Sequence, residues 1–162
     1  MNAFGEETQF YSFCERGDHA SASKLGLKEI NTSNVFGWTP LMAALANGHL
    51  DTAKLLVKNG AVLECCDVDG CTLMFEVCLG GHLDCAKWLY EKGCRDVRTK
   101  NKYGKNPMYA ACVEGHIEVA KWLYAHGAAD DIHTLDDQGY SLLDMARMYD
   151  RKDVVAWLAI YL

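Results

Sequence analysis

Cysteine and histidine are the residues of this sequence that could bind a metal or react covalently, and it contains eight cysteines and six histidines. Three of the cysteines, Cys65, Cys66 and Cys71, crowd one short segment. A structural zinc site needs four thiolate or imidazole ligands, usually with closely spaced pairs such as Cys-x-x-Cys. That spacing is absent, so we expect no metal and no cofactor. A reactive thiol at Cys65 or Cys66 leaves one alternative open, a thiol-based redox- or metal-responsive regulatory protein.

The histidines do not form a catalytic set with other residues. His49, His82 and His116 each follow a glycine and recur at matched places, which indicates a structural position repeated along the chain. No Gly-x-Ser-x-Gly, His-Glu-x-x-His or phosphate-binding glycine loop occurs. Because the constellations that catalysis requires are missing, we predict that the protein is not an enzyme.

The composition favours one compact domain outside the secretory pathway. Half of the 162 residues are hydrophobic, and the net charge is -6. No apolar run is long enough to span a membrane, and the first residues lack the basic segment and apolar core of a signal peptide. Because free cysteine packs as a small hydrophobe and stays reduced in the cytosol, we expect unpaired thiols in a cytoplasmic protein, with the nucleus also open. The acidic balance argues against nucleic acid as a partner, and we expect a monomer.

The elements that position these residues are repeated along the chain. The pairs Gly48-His49, Gly81-His82 and Gly115-His116 are 33 and 34 residues apart, and a fourth, worn copy is in register through Trp122 and Trp157, 35 apart. A fixed period of this size is typical of a repeat array. We place the units at 1–30 (a degenerate cap), 31–63, 64–97, 98–132 and 133–162 (the C-terminal cap), within a single domain over 1–162.

Each unit contains the signals of two short helices. Thr39 and Asn106 each precede a proline, which predicts a helix start because the side chain caps free amides and proline has none to lose. Glycines such as Gly115 and Gly127 predict the ends of the first and second helix. Helices this short are unstable alone, so each apolar stripe must be covered by the next unit.

These residues resemble a known family. Thr39-Pro40-Leu41, followed by Ala44 and Gly48-His49, is similar to the ankyrin repeat, although the signature histidine is Met42 in this copy. The resemblance implies an all-α solenoid of stacked helix-turn-helix units with short β-hairpin-like fingers. It also implies a non-catalytic protein-interaction module or adaptor that binds a protein partner on its concave finger and first-helix surface.

Carried over position by position, the resemblance gives a set of candidate partner-binding residues. They are Phe36, Trp38 and Asn47; Val68, Asp69 and Leu79, with Cys71 beside them; Lys102, Tyr103, Lys105 and Glu114; and Gln138, Tyr140, Met148 and Tyr149. Aromatic residues are over-represented among binding hot spots, which favours Trp38, Tyr103 and Tyr140. The alternative is that Trp38 and Tyr140 only cover the adjacent first helix.

Two further questions stay open at this level. The third finger is basic, with Arg98 among its residues, and the second and fourth are acidic, so the charges either neutralise one another or select a charged partner. The apolar residues 159–162 either pack back on Trp157 or contact a partner or a second copy of the chain.

Overall fold

The computed structural model describes residues 9–18, 20–21, 29–136 and 138–161, and helices dominate this part of the chain. Its α-helices are α1 (Gln9–Glu15), α2 (Pro40–Ala46), α3 (Leu50–Lys58), α4 (Leu73–Leu79), α5 (Leu83–Glu91), α6 (Pro107–Glu114), α7 (Ile117–Leu123), α8 (Leu142–Met148) and α9 (Lys152–Leu158). A π-helical turn, Tyr124–Ala128, and a 3-10 helix, Ala129–His133, follow α7. Much of the predicted N-terminal cap, at 1–8, 19 and 22–28, and Leu162 at the other end lie outside the described residues.

The first helix of each full repeat begins at the residue that the sequence predicted. Thr39, Thr72, Asn106 and Ser141 have extended backbones, and each side chain accepts a hydrogen bond from the backbone N–H three residues further on. Such a cap satisfies one of the free amides at a helix start and stabilises the helix by about 1 kcal/mol. The capping residue therefore fixes where each repeat turns from finger to helix.

The predicted helix ends are also present. Gly115 follows α6 with φ 86°, and Asp150, which stands at the same place in the fourth repeat, has φ 53°. Aspartate visits this left-handed region more easily than most residues with a side chain, so the exchange preserves the turn.

Small apolar residues form the core between the helix layers. Ala53, Ala86 and Ala120 recur at matched second-helix positions and are fully buried, which lets the helices approach closely. Cys78 and Cys112 are also fully buried in the same continuous cluster, and all eight cysteines are free thiols. The expectation that free cysteines pack as small hydrophobic residues is confirmed for these two positions.

Histidines at the start of the second helices tie each repeat to the one before it. The Nε2–H of His82 donates to the carbonyl oxygen of Ala46 at 2.9 Å, and that of His116 donates to Leu79 at 3.0 Å. In the fourth repeat Arg151 takes this place, and its Nε donates to Val113 at 2.6 Å. These bonds satisfy carbonyl groups at the ends of the preceding first helices, which have no partner within the helix.

The connectors are hairpin-like fingers with almost no strand. Within the described residues their bridges are single ones, Cys66 to Thr72 and Leu135 to Ser141. The all-α repeat architecture predicted from the sequence is confirmed. None of the helices in the described part of the chain combines the length and apolar character needed to cross a membrane.

Tyr161 near the C-terminus packs on Trp157 of its own repeat and on Tyr124 of the preceding repeat. The Tyr161 ring lies 4.8 Å from Tyr124 and 5.7 Å from Trp157, measured between ring centroids. Ile160 remains 74% exposed. Self-packing therefore accounts for Tyr161 but not for Ile160.

Candidate protein-binding surface

Four acidic or amide side chains shape the tips of the fingers. The Oδ1 atoms of Asn34, Asp67, Asn101 and Asp136 each accept two backbone N–H bonds, from the residues two and four positions further on, at 2.8–3.1 Å. Such side chains replace the backbone partners that a turn lacks. We did not identify these four residues from the sequence, although each stands three positions before a finger glycine, and that recurrence could have revealed them.

Backbone hydrogen bonds join the first three fingertips side by side. The N–H of Val68 donates to the carbonyl of Phe36 at 3.0 Å, and the N–H of Lys102 donates to Asp69 at 2.9 Å. The fingertips are thus held in a row at fixed spacing, which is what a preorganised binding surface requires.

The predicted contact residues fall into two rows, one along the fingertips and one at the C-terminal ends of the first helices. Exposed apolar side chains occur in both rows: Phe36 (64%), Val68 (49%), Tyr103 (55%) and Tyr140 (42%) at the tips, and Leu79, Met148 and Tyr149 at the helix ends. Asn47 and Glu114 share the second row with them, and Gln138 shares the first. Exposed aromatic and aliphatic groups arranged in this way are typical of interaction surfaces.

Some predicted residues are partly occupied by contacts within the chain. Trp38 is half-buried and packs against the core, which favours the alternative that it covers the adjacent helix. Asn47 donates to the Ala43 carbonyl at 2.9 Å, and Glu114 accepts from Arg151 at 3.4 Å. These three side chains have less freedom to meet a partner than Phe36 has.

Residues of the third finger reach over to the second. The Tyr103 hydroxyl donates to Asp69 at 3.1 Å, and the Lys102 ammonium donates to the Val68 carbonyl. Lys105 lies 5.0 Å from the Tyr109 ring centroid, within reach of a cation–π contact. Cys71, placed beside these residues by the sequence, is in fact buried at 7% exposure, so it does not contribute to the surface.

A cavity of about 330 Å³ opens between the first two fingers. Its walls carry aromatic rings and carboxylates, namely Tyr11, Asn34, Phe36, Trp38, Asp67, Val68 and Asp69. Phe36 and Trp38, both predicted from the sequence, meet here with Val68 and Asp69. This mixture of ring faces and carboxylates suits a cationic or aromatic side chain.

The opposite charges of the third and fourth fingers meet at one arginine. Arg98 Nε lies 3.1 Å from Asp131 Oδ1, and Nη1 lies 3.4 Å from Asp130 Oδ2. Asp131 is 3% exposed, and its Oδ2 has no hydrogen-bond partner among the described residues. Burial raises the pKa of the Asp131 carboxyl, and the Arg98 charge opposes that rise. Neutralisation therefore accounts for Arg98 but not for the exposed Lys100 and Lys102 of the same finger.

Three cysteines line a second cavity, of about 430 Å³, at the base of the second finger. Cys65 and Cys94 are half-buried and Cys66 is exposed. Burial raises the pKa of Cys65 and of Cys94, so both thiols are protonated at neutral pH and weakly nucleophilic.

A mixed cluster lies behind the second fingertip. Side-chain donor atoms of Asp67, Cys71 and Glu76 all lie within 4.8 Å of one another. Glu76 is 4% exposed, and burial, followed by the Asp67 charge, raises the pKa of its carboxyl to about 7. Among the described residues, this is where oxygen and sulfur ligands come close enough to hold an ion.

Comparison with known proteins agrees with the repeat geometry. A family model of ankyrin repeats in three copies matches residues 10–101 and again residues 93–161. Among curated proteins, none matches the sequence.

Proposed function

Since this chain belongs to the ankyrin repeat family, whose repeats generally serve as protein–protein interaction modules, we propose that it is a non-catalytic adaptor. Its partner is a protein segment that lies across the fingertips and the ends of the first helices. The observation that carries this proposal is that the fingertips expose large apolar side chains, namely Phe36, Val68, Tyr103 and Tyr140, and that backbone hydrogen bonds hold the first three tips side by side. Exposed aromatic residues on a rigid frame bind with a small loss of conformational entropy.

The side-chain charges alternate in sign from finger to finger, so they would fix the orientation of a charged partner on this surface. Asp67 and Asp69, which line the cavity between the first two fingers, carry negative charge. Lys102 and Lys105 on the third finger carry positive charge, and Asp136 on the fourth finger is again negative. A partner with the complementary order of charges would associate faster and in one register. We place this interaction in the cytoplasm or the nucleus, because eight free thiols suit a reducing compartment, and we propose that the protein acts as a monomer.

The test compares two exposed apolar positions, one at a fingertip and one away from the fingertips. We would capture partners from the source cells with the wild type, identify one by mass spectrometry, and measure its affinity for purified variants. Phe36→Ser should weaken binding by at least about tenfold, the loss expected of a hot-spot residue. Val62→Ser is the matched control, because Val62 is also exposed (51%) and lies just after α3, at the base of the second finger and not at a tip.

The circular dichroism melts of both variants should match that of the wild type, because neither side chain is buried. Equal affinities for the two variants would show that the fingertip surface is not the binding site. Trp38→Ala is a poorer test, because that ring packs on the core and its removal would also destabilise the fold.

Thiol-based regulation is a second candidate, supported by the cavity lined by Cys65, Cys66 and Cys94. Because burial raises the pKa of Cys65 and Cys94 and so disfavours their thiolates, the exposed Cys66 would have to react first. After brief treatment with hydrogen peroxide, mass spectrometry should find one added oxygen on Cys66. If Cys66 is oxidised no faster than the fully buried Cys112, this second candidate is wrong.

A further inference from the structure

Glu76 is an unusual residue for its position. It lies on α4, it is 4% exposed, and donor atoms of Cys71 and Asp67 lie within 4.8 Å of its carboxylate oxygen. A carboxylate buried without a cation or several hydrogen bonds destabilises a fold by several kcal/mol. A carboxyl group at this buried position is therefore less favourable for folding than an apolar side chain.

The other repeats show what the fold itself requires at these positions. Ala43 and Ala110, 33 and 34 residues away from Glu76, occupy the same first-helix register and are buried. At the register of Cys71 the neighbouring repeats carry Trp38 and Lys105. The second repeat thus carries a carboxylate where its neighbours have alanine and a thiol where they have a tryptophan or a lysine, and these two potential ligands lie close together.

The three donor groups are close and partly preorganised. Asp67, Cys71 and Glu76 offer two carboxylate oxygens and one sulfur, all within 4.8 Å of one another. Asp67 Oδ1 is held by the N–H groups of Asp69 and Cys71 at 2.9 and 2.8 Å, which leaves Oδ2 for another partner.

Asn101 supports the sulfur from the neighbouring finger. Its Nδ2–H donates to Cys71 Sγ at 3.3 Å, and such outer contacts orient ligands in metal sites. Asp67 is half-buried and also lines the cavity between the first two fingers, which provides a route from solvent.

We propose that Asp67, Cys71 and Glu76 bind a divalent metal ion of borderline softness, zinc being the natural case. Three protein ligands and one water complete the tetrahedral coordination that zinc prefers. Binding displaces the thiol proton of Cys71 and any proton on Glu76 into solvent, and the ion then sits between three negative ligands. The sequence predicted no metal site because these ligands do not follow the usual cysteine spacing.

The test uses Co²⁺ alone as a spectroscopic substitute for Zn²⁺, added to the full chain after reduction and treatment with a chelator. The wild type should bind one equivalent with a thiolate-to-cobalt absorption band, and Zn²⁺ should abolish the band by displacement. Glu76→Ala, Asp67→Asn and Cys71→Ser should each weaken Co²⁺ binding by at least about tenfold.

Two of these substitutions introduce the residue that the neighbouring repeats carry at the same position. Alanine occupies the Glu76 register in the neighbouring repeats, and asparagine occupies the Asp67 register at Asn34 and Asn101, so both variants should keep the helical circular dichroism spectrum. Replacing the three thiols of the other cavity, Cys65, Cys66 and Cys94, by serine is the control and should leave the band intact.

Three outcomes overturn the proposal. The first is a wild type without a thiolate band, and the second is affinity unchanged in Glu76→Ala and Asp67→Asn. The third is loss of the band in the control variant, because the metal would then be bound at the other cavity.

Discussion

The contact between a histidine and the glycine of the preceding repeat should be a principal link between repeats, and Gly81→Ala tests it. Gly81 has φ +76°, and a Cβ added there would lie 2.5 Å from Nδ1 of His116, closer than real Cβ contacts. Gly93 has φ +96° and no heavy atom within 4 Å of the same added Cβ. Gly93→Ala therefore has the backbone strain without the collision, and it is the matched control.

The two substitutions should differ by about 2 kcal/mol. An alanine held in the left-handed region is destabilised by roughly 1 kcal/mol, and both variants share that term. In Gly81→Ala the imidazole of His116 must also move. It then loses its 3.0 Å hydrogen bond to Leu79, worth about 1 kcal/mol, and the repacking adds roughly another 1 kcal/mol.

Urea unfolding followed by circular dichroism and tryptophan fluorescence measures both free energies of unfolding. Both signals are recorded because repeat arrays can lose two-state behaviour when an inner interface weakens, and coincident transitions justify a two-state free energy. His116→Ala should be less harmful in the Gly81→Ala background than in the wild type, because the hydrogen bond to Leu79 is already lost there and removal of the ring relieves the collision. If Gly81→Ala and Gly93→Ala agree within about 0.5 kcal/mol, the ring contact does not couple the repeats.

Three further predictions follow from single contacts. Arg98→Ala should destabilise the protein by about 2 kcal/mol in urea unfolding, because it leaves the buried Asp131 unpaired, whereas Asp130→Ala should change little since that side chain is 84% exposed. Burial lowers the pKa of His82, so at acidic pH the unfolded chain binds more protons at this residue than the folded chain does. The free energy of unfolding of the wild type should therefore exceed that of His82→Gln by less as the pH falls from about 7 to 5. A difference that stays constant over this range would contradict the prediction. Asp150→Ala should lower the melting temperature and Asp150→Gly should not, because φ is 53° at this position.

Much of the fold could be predicted from local sequence signals. The caps at Thr39 and Asn106, the glycine at Gly115 and the left-handed Asp150 all act within a few residues of themselves, so their roles can be read without a tertiary structure. The matched alanines predicted the buried face of each second helix, because helix periodicity places them on one side of the helix.

The candidate surface could be predicted only in part. The register of the repeats identified the positions of Phe36, Val68 and Tyr103, and these side chains are exposed as expected. It could not show that Trp38 packs on the core or that Cys71 is buried, since those outcomes depend on what the neighbouring finger covers.

The sequence by itself determined the period, the helix boundaries and the family of this protein, because each of those depends on short-range chemistry repeated in phase. Only the tertiary structure decided which side chains of neighbouring repeats meet. Arg98 with Asp131, and Asn101 with Cys71, are pairs separated by 33 and 30 residues. Asp67 and Glu76 lie close together because the second finger folds back against α4, the first helix of the same repeat. Such meetings depend on side-chain direction and burial, which a one-dimensional register does not contain.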